Sequence, residues 1–155
     1  MSKDRKPARE ASLCVGTATR KASRRLTQLY DNALSPCGLR STQYAILAEL
    51  DRRSHKPPTM RELADALVMD RSALGHNLRP LERSGFIALD ESEEDRRRRH
   101  VAMTPQGKVK FKEAKRLWQT AQDRFNEVFG QSQAADLRAT LLAIASNERL
   151  AKLRD

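Results

Sequence analysis

Asp70 to Thr104 read DRSALGHNLRPLERSGFIALDESEEDRRRRHVAMT, a helical pattern followed by two short apolar segments. Leu74, Leu78 and Leu81 recur at helical spacing, which predicts a helix that begins after an Asp70 N-cap. Four consecutive arginines lie between the apolar segments, at the place where a β-hairpin would turn. A basic hairpin tip is suited to bind a polyanion that has a groove narrow enough for the tip to enter and contact both sides.

Two further helices are predicted directly upstream. Thr59-Met60-Arg61-Glu62 fits the S/T-x-x-E capping box, so one helix begins at Met60. The other takes Ser41 as its N-cap and ends before Pro57. The helix from Met60 and the helix after Asp70 are joined by a tight turn, and the basic hairpin follows them. This order predicts a winged helix-turn-helix.

Amphipathic helices are predicted at both chain ends. An apolar stripe begins at Val15 and stops at the Ser35-Pro36-Cys37-Gly38 turn. Downstream, Thr104-Pro105 starts a helix that runs to about Phe129, and Ser132 caps a last helix. A winged-helix core does not need all of this apolar surface, and a two-fold partner is the commonest way to cover the rest.

These patterns predict a mainly α (α+β) fold, a winged helix-turn-helix whose N- and C-terminal helices form a dimerisation platform. We expect three parts. Residues 1–35 form an N-terminal arm and dimerisation helix, residues 36–104 form the DNA-binding lobe, and residues 105–155 form the C-terminal dimerisation helices.

The charge balance favours nucleic acid as the partner. The 155 residues include 30 Lys and Arg against 20 Asp and Glu, for a net charge of +10. The alternative, a membrane, is disfavoured because no apolar run is long enough to span a bilayer. The N-terminus lacks the apolar stretch of a secretory signal, and two cysteines fit a reducing compartment, so we expect a cytoplasmic protein.

No motif of an enzyme or a metal site is found. The sequence has no Gly-rich phosphate loop, no nucleophile elbow and no metal-ligand spacing, so we expect no enzyme activity and no cofactor. His55, His76 and His100 are scattered over a loop, the predicted DNA-reading helix and the hairpin, which argues against metal sensing.

The helix after Asp70 has an outward face suited to the DNA major groove. Because its leucines face the core, its polar and small residues face out, and Asn77 lies between the two faces. Pro80 predicts a bend between the reading half and the packing half. The predicted DNA-reading residues are Arg71, Ser72, Gly75, His76, Asn77 and Arg79.

The arginine run at the hairpin tip is predicted to enter the minor groove, where narrow A-tracts attract arginine. Asp95 can pair with Arg97 and hold its guanidinium extended. The neighbouring Arg96, Arg98 and Arg99 would then contact phosphates.

The order of these motifs resembles the MarR family of bacterial transcription regulators. The resemblance is carried by Leu63-Ala64, Asp70-Arg71-Ser72-Ala73-Leu74 and Leu81-Glu82-Arg83-Ser84-Gly85-Phe86-Ile87. It continues in Asp95-Arg96-Arg97 and in Val101-Ala102-Met103-Thr104-Pro105-Gln106-Gly107. Met103 stands where leucine is commoner, and Pro80 departs from the family pattern.

This resemblance implies a homodimer on double-stranded DNA with a pseudo-palindromic operator, released by a small ligand or an oxidant. Asp95 and Arg97 match the family's wing pair, and residues 71–79 match its recognition helix. The expected function is a sequence-specific repressor that responds to a small-molecule effector such as an aromatic acid. Two alternatives stay open: a thiol-based redox regulator that uses Cys14, and an architectural protein that coats DNA without reading it.

The sensing residues are predicted from few signals. Tyr44 and Trp118 lie on helices that could wall a cleft between the platform and the DNA-reading lobe, and Arg20 could pair with a ligand carboxylate. Cys14 lies where some MarR-like peroxide sensors carry a reactive cysteine. The absence of a neighbouring resolving thiol favours a buried, unreactive Cys14 side chain. Cys37, in the Pro36-Cys37-Gly38 turn, is expected to be incidental to sensing.

Overall fold

The computed structural model describes residues 14–91 and 99–152. Within these ranges the chain forms six α-helices, one antiparallel strand pair and two short 3-10 helices, Ser35–Cys37 and Glu148–Ala151. In chain order the main elements are α1 (Val15–Leu34), α2 (Ser41–Arg52), α3 (Met60–Ala66), α4 (Arg71–Arg83), β1 (Ile87–Glu91), β2 (Arg99–Met103), α5 (Pro105–Phe129) and α6 (Gln131–Ala145).

Side-chain caps at three helix starts agree with the sequence predictions. Thr59 and Glu62 form the capping box of α3, with the Thr59 amide donating to the Glu62 carboxylate at 2.7 Å. Asp70 accepts from the Ala73 amide at 2.7 Å, and Thr104 accepts from the Gly107 amide at 3.0 Å. These bonds satisfy amides that have no partner inside the helix.

The start of α2 is capped differently from the prediction. Arg40 is the N-cap, and Ser41 is the first helical residue. The Ser41 amide donates to Asp31 Oδ1 of α1 at 2.7 Å, while the Arg40 amide donates to the Gln43 side chain at 2.9 Å. A carboxylate from another helix therefore performs the role that the sequence assigned to the Ser41 hydroxyl.

The start of α6 also differs from the prediction. Gly130, with a φ of 88°, is the N-cap, and Ser132 lies one residue inside the helix. A glycine is suited to this sharp entry because a side chain would strain the positive φ.

The core joins the helix-turn-helix to the base of the wing. Its fully buried members come from α1, α2, α3, α4, the strands and α5; they include Leu34, Ile46, Leu47, Leu63, Leu74, Leu81, Val101 and Ala114. In the strand pair, Leu89 is opposite Val101 and Ile87 is opposite Met103. The Val101 amide also donates to the Pro58 carbonyl at 2.9 Å, which fixes the wing base to the segment before α3.

The platform helices leave much of their apolar surface uncovered. Ala134 is the one buried residue of α6, and residues 18–25 of α1 are all exposed. The large exposed apolar side chains of this region are Val15, Val109, Val128, Phe129, Leu137, Leu141, Leu142, Ile144 and Leu150. In the described ranges, no helix combines the length and the apolar character needed to cross a membrane.

Candidate nucleic-acid interface

Helix α4 presents the outward face that the sequence predicts. Leu74, Leu78 and Leu81 are buried, and the side chains on the opposite side are accessible. Arg71, Ser72, His76 and Arg79 are exposed, whereas Gly75 and Asn77 are half-buried. The face therefore offers two guanidinium groups, an imidazole and a hydroxyl, which are hydrogen-bonding groups suited to base edges and phosphates.

Asn77 and Gly75 of this face differ in what they leave free for another molecule. The Asn77 amide nitrogen donates to the Ala73 carbonyl of its own helix at 2.9 Å, so its oxygen remains the group directed elsewhere. A methyl group built on Gly75 meets no atom within 4 Å. Packing inside the chain therefore does not require glycine there, and the open surface would let another molecule approach the helix closely.

Helix α4 runs from Arg71 to Arg83 without a break, although Pro80 lies inside it. The half after the proline packs in the same core as the first half, through Leu81. The turn that precedes α4 contains Val68 at a φ of 52°, a left-handed conformation that is uncommon for a β-branched residue. The Met69 amide donates to the Ala64 carbonyl at 2.9 Å and helps close this turn.

The structure describes the base of the wing but not its tip. Asp95, Arg96, Arg97 and Arg98 lie outside the described residues, so the predicted pairing of Asp95 with Arg97 stays a prediction. Arg99 is exposed at the start of β2, and His100 pairs with Thr59 in an isolated β-bridge. The wing therefore starts beside the N-terminus of α3, within the same lobe as α4.

Comparisons with known proteins agree with this geometry. Residues 38–98 match the model of the MarR family. The transcriptional regulator MosR of M. tuberculosis, solved in complex with DNA, is 28% identical over 90% of this chain and 99% of that one, with a TM-score of 0.78. The transcriptional repressor CouR, bound to a 23-mer DNA duplex, is 26% identical over 92% of this chain and 99% of that one, with a TM-score of 0.80.

The chain resembles the MarR family over its DNA-binding lobe. It is a DNA-binding transcription regulator of the winged-helix type, as the sequence motifs predicted. MarR of E. coli, solved in its apo form, has the same fold at 20% identity, with a TM-score of 0.69 over 86% of this chain and 98% of that one. Comparison with curated protein sequences gives no match.

The environment of Cys14 differs from the sequence prediction. Cys14 is exposed at the N-cap of α1, not buried, whereas Cys37 is buried and its thiol donates to the Leu34 carbonyl at 3.1 Å. Hydrogen bonds from Thr17 and from the Gly16 amide lower the pKa of the Cys14 thiol. The prediction was wrong because no sequence signal showed that the first turns of α1 extend beyond the core. Redox sensing by Cys14 stays a prediction.

A cavity of about 540 Å³ lies in the platform of this regulator, between α1, α5 and α6. Of the three predicted pocket residues, Trp118 lines it. Tyr44 is buried behind Trp118, with ring centroids 5.5 Å apart and 14° between the planes. Arg20 is not among the lining residues and is exposed on α1.

The sequence prediction missed three polar residues of the cavity. They are Tyr30, Gln122 and Arg138, which come from three different helices. The Tyr30 hydroxyl donates to Gln122 Oε1 at 3.0 Å. Burial raises the pKa of Tyr30, and the nearby Arg138 charge opposes that shift. Spacing along α1 could have indicated Tyr30, which follows Leu26 by one helical turn, but no local signal connects it with α5 and α6.

In the described part of the chain, no group of three His, Cys, Asp or Glu residues could hold a metal ion.

Proposed function

We propose that this protein is a homodimeric repressor that reads a pseudo-palindromic operator and leaves it when a small molecule binds. The observation that carries the proposal is the outward face of α4, where Arg71, Ser72, His76 and Arg79 are exposed beside the wing base. A rigid, well-packed helix with base-reading side chains on one face is what major-groove recognition requires.

Dimerisation is supported by the uncovered apolar side chains of α5 and α6. A two-fold partner would cover them and would place two copies of α4 about one DNA turn apart, on the order of 34 Å. MosR and CouR, which were solved with DNA, are matched over nearly their whole length, which supports DNA binding by the same fold here.

Release by an effector is supported by the position of the cavity. It lies in the platform and contacts Trp118, whose ring stacks on Tyr44 of α2, the first helix of the DNA-binding lobe. CouR has been solved with p-coumaroyl-CoA, an aromatic thioester. A coupling free energy of about 1–3 kcal/mol between the cavity and the DNA spacing gives a 5–150-fold change in operator affinity.

The test is a comparison of specific and random DNA by fluorescence anisotropy at several salt concentrations. Wild-type protein should bind DNA from its own promoter at least about 1,000-fold more tightly than random DNA of equal length. Because the His76 and Arg71 side chains are proposed to contact bases, His76→Ala and Arg71→Ala should each reduce the free-energy difference between promoter and random DNA by about 1–3 kcal/mol. Arg124→Ala, which removes an exposed α5 cation paired with Glu127, should leave it unchanged.

Equal affinity for promoter and random DNA would favour the architectural alternative. Salt dependence alone does not separate the two functions, because both would release counterions from the phosphates. The ratio of affinities at one salt concentration does separate them.

A further inference from the structure

The first half of α5 carries a concentration of positive charge on its exposed side. Lys108, Lys112 and Lys115 are exposed and are separated by four and three positions, so their side chains lie on one face of the helix. Glu113 is the one acidic residue in this half of α5, and it pairs with Lys110 at 2.8 Å. We call the three exposed lysines the α5 lysine face.

The charges of the α5 lysine face are not balanced by carboxylates of the same chain. Within residues 14–91 and 99–152, none of its three lysines has a carboxylate within ion-pair distance. In the second half of α5, by contrast, Arg124 pairs with Glu127 at 2.8 Å, and Asp123 adds a further negative charge. The positive charge is therefore concentrated on the half of α5 that follows the wing.

Helix stability does not account for Lys108. The helix starts at Pro105, and its first turn contains no acidic side chain. Because the N-terminal end of a helix carries a partial positive charge, a lysine close to that end is unfavourable for the helix itself. An anion outside the chain would make the same charge favourable, since charge-assisted hydrogen bonds to phosphate are among the stronger contacts of a protein.

The α5 lysine face begins beside the wing. Lys108 lines a small cleft together with Ala102 of β2 and Arg53 at the end of α2. Lys115 lies seven residues farther along α5, which is about 10 Å along the helix axis at 1.5 Å per residue. A basic surface therefore extends from the base of the wing along the side of the DNA-binding lobe.

We propose, building on the operator binding proposed above, that the α5 lysine face binds the phosphates of DNA that flanks the operator. Each lobe thereby extends its contact with the duplex past the segment that the wing and α4 bind. The contact carries no sequence information, because a lysine ammonium binds phosphate as a point charge. It lengthens the bound segment and leaves the base preference of α4 unchanged.

Binding to duplexes of two lengths tests the proposal. The shortest promoter duplex that retains sequence-specific binding is compared with the same duplex extended by about one helical turn, ~10 base pairs, at each end, with two unrelated extension sequences. Wild-type protein should bind both extended duplexes at least about tenfold more tightly. Its affinity for them should also fall more steeply with salt, since each lysine–phosphate contact releases a condensed counterion.

The triple variant Lys108→Gln, Lys112→Gln, Lys115→Gln removes the α5 lysine face. Glutamine is also a good helix former, and loss of positive charge near a helix N-terminus is not unfavourable, so urea unfolding should show no loss of stability. This variant should bind the short and the extended duplexes with affinities within about twofold of each other. Its salt dependence should be the same on both lengths.

A matched variant removes the same charge from another surface. Lys21, Arg24 and Arg25 are exposed on α1. Leu26, which follows them, lines the platform cavity together with Phe125, so these three cations lie toward the end of α5 that is opposite the wing. With all three changed to glutamine, the protein should retain the tenfold preference for extended DNA.

Three outcomes would overturn the inference: equal affinity of wild type for both lengths, an undiminished length preference in the α5 variant, or an equal loss of that preference in the α1 variant. In the second case, binding of phosphatidylserine vesicles by wild type but not by the α5 variant would assign the surface to an anionic membrane. Absence of specific binding to the short duplex would reject the repressor function. Specific binding without a preference for extended DNA would reject the flanking contact alone.

Discussion

Gly107 shows how one residue can fix the joint between the wing and the platform. It is buried in the first turn of α5, and a Cβ added there would overlap the Phe86 carbonyl oxygen. That oxygen is held in place, because it accepts the Thr104 amide at 3.0 Å. The Thr104 hydroxyl in turn donates to the Gly85 carbonyl at 2.6 Å. The helix can therefore approach the end of α4 only where it has no side chain.

We predict that Gly107→Ala destabilises the protein by about 1–3 kcal/mol, because the backbone around Phe86 must shift to admit the methyl group. Urea unfolding at one fixed protomer concentration measures the change. Gly75→Ala is the control: it is also a helical glycine, but its added methyl group meets no atom within 4 Å. It should gain up to about 1 kcal/mol from helix propensity. Equal stability of the two variants would contradict this account of Gly107.

At the scale of elements, the C-terminus of α2 is held by a buried carboxylate. Glu49 is 9% exposed and accepts from Arg52 Nε at 3.1 Å and from Arg53 Nε at 2.6 Å. Burial alone would raise the pKa of Glu49, but hydrogen bonds and charges from these two arginines lower it below the usual value. The ion cluster keeps the end of α2 in place before the segment that pairs with the wing.

The lowered pKa of Glu49 determines how its contribution to folding stability changes with pH. A carboxyl group whose pKa is lower in the folded protein stabilises the fold above its unfolded pKa of about 4.3, and loses that contribution as the pH falls through the folded value. We predict that Glu49→Gln costs about 1–2 kcal/mol at pH 7. The difference from wild type should shrink as the pH is lowered below about 4.

Unfolding in urea at pH 7, 5, 4 and 3 checks this prediction. Asp65→Asn, which removes an exposed partner of Arg61, should change stability by less than about 0.5 kcal/mol at every pH. A Glu49→Gln difference that stays constant down to pH 3 would show that the cost comes from packing and not from the ionised carboxylate.

At the scale of the whole molecule, the exposed apolar side chains of α6 indicate that the chain assembles with a second copy. The DNA-binding lobe buries its leucines within one chain, whereas α6 buries only Ala134 and leaves Leu142 62% exposed. Leaving this much contiguous apolar surface in water is unfavourable and is typical of an interface. The proposed operator binding depends on that interface, because one α4 reads only half of a palindromic site.

We predict that Leu142→Glu yields a monomer, since a carboxylate at this position would have to be buried without a partner in the dimer. Sedimentation velocity should report half the wild-type mass, and operator affinity should fall at least about 100-fold through loss of the second half-site. Val68→Glu places the same charge on another exposed apolar residue, in the turn before α4, and should leave the mass unchanged. A dimeric Leu142→Glu protein would move the interface away from this face of α6.

Features that depend on neighbouring residues follow from the amino-acid sequence alone. The caps at Thr59, Asp70 and Thr104, the buried leucine face of α4 and the strands around the arginine run all follow from spacing within a few residues. These signals are local because a cap or an amphipathic face is formed by residues one to four positions apart. They were sufficient to predict the winged helix-turn-helix and the resemblance to the MarR family.

The contacts across the platform, in contrast, depend on how distant parts of the chain pack together. Asp31 replaces Ser41 as the cap of α2, Cys37 is buried and Cys14 exposed, and Tyr30 bonds Gln122 from 92 positions away. The cavity with Arg138 exists because α1, α5 and α6 pack at particular positions along their lengths. Periodicity gives the face of a helix but not its partner, since any apolar stripe can pack against any other until chain connections and side-chain volumes select one arrangement.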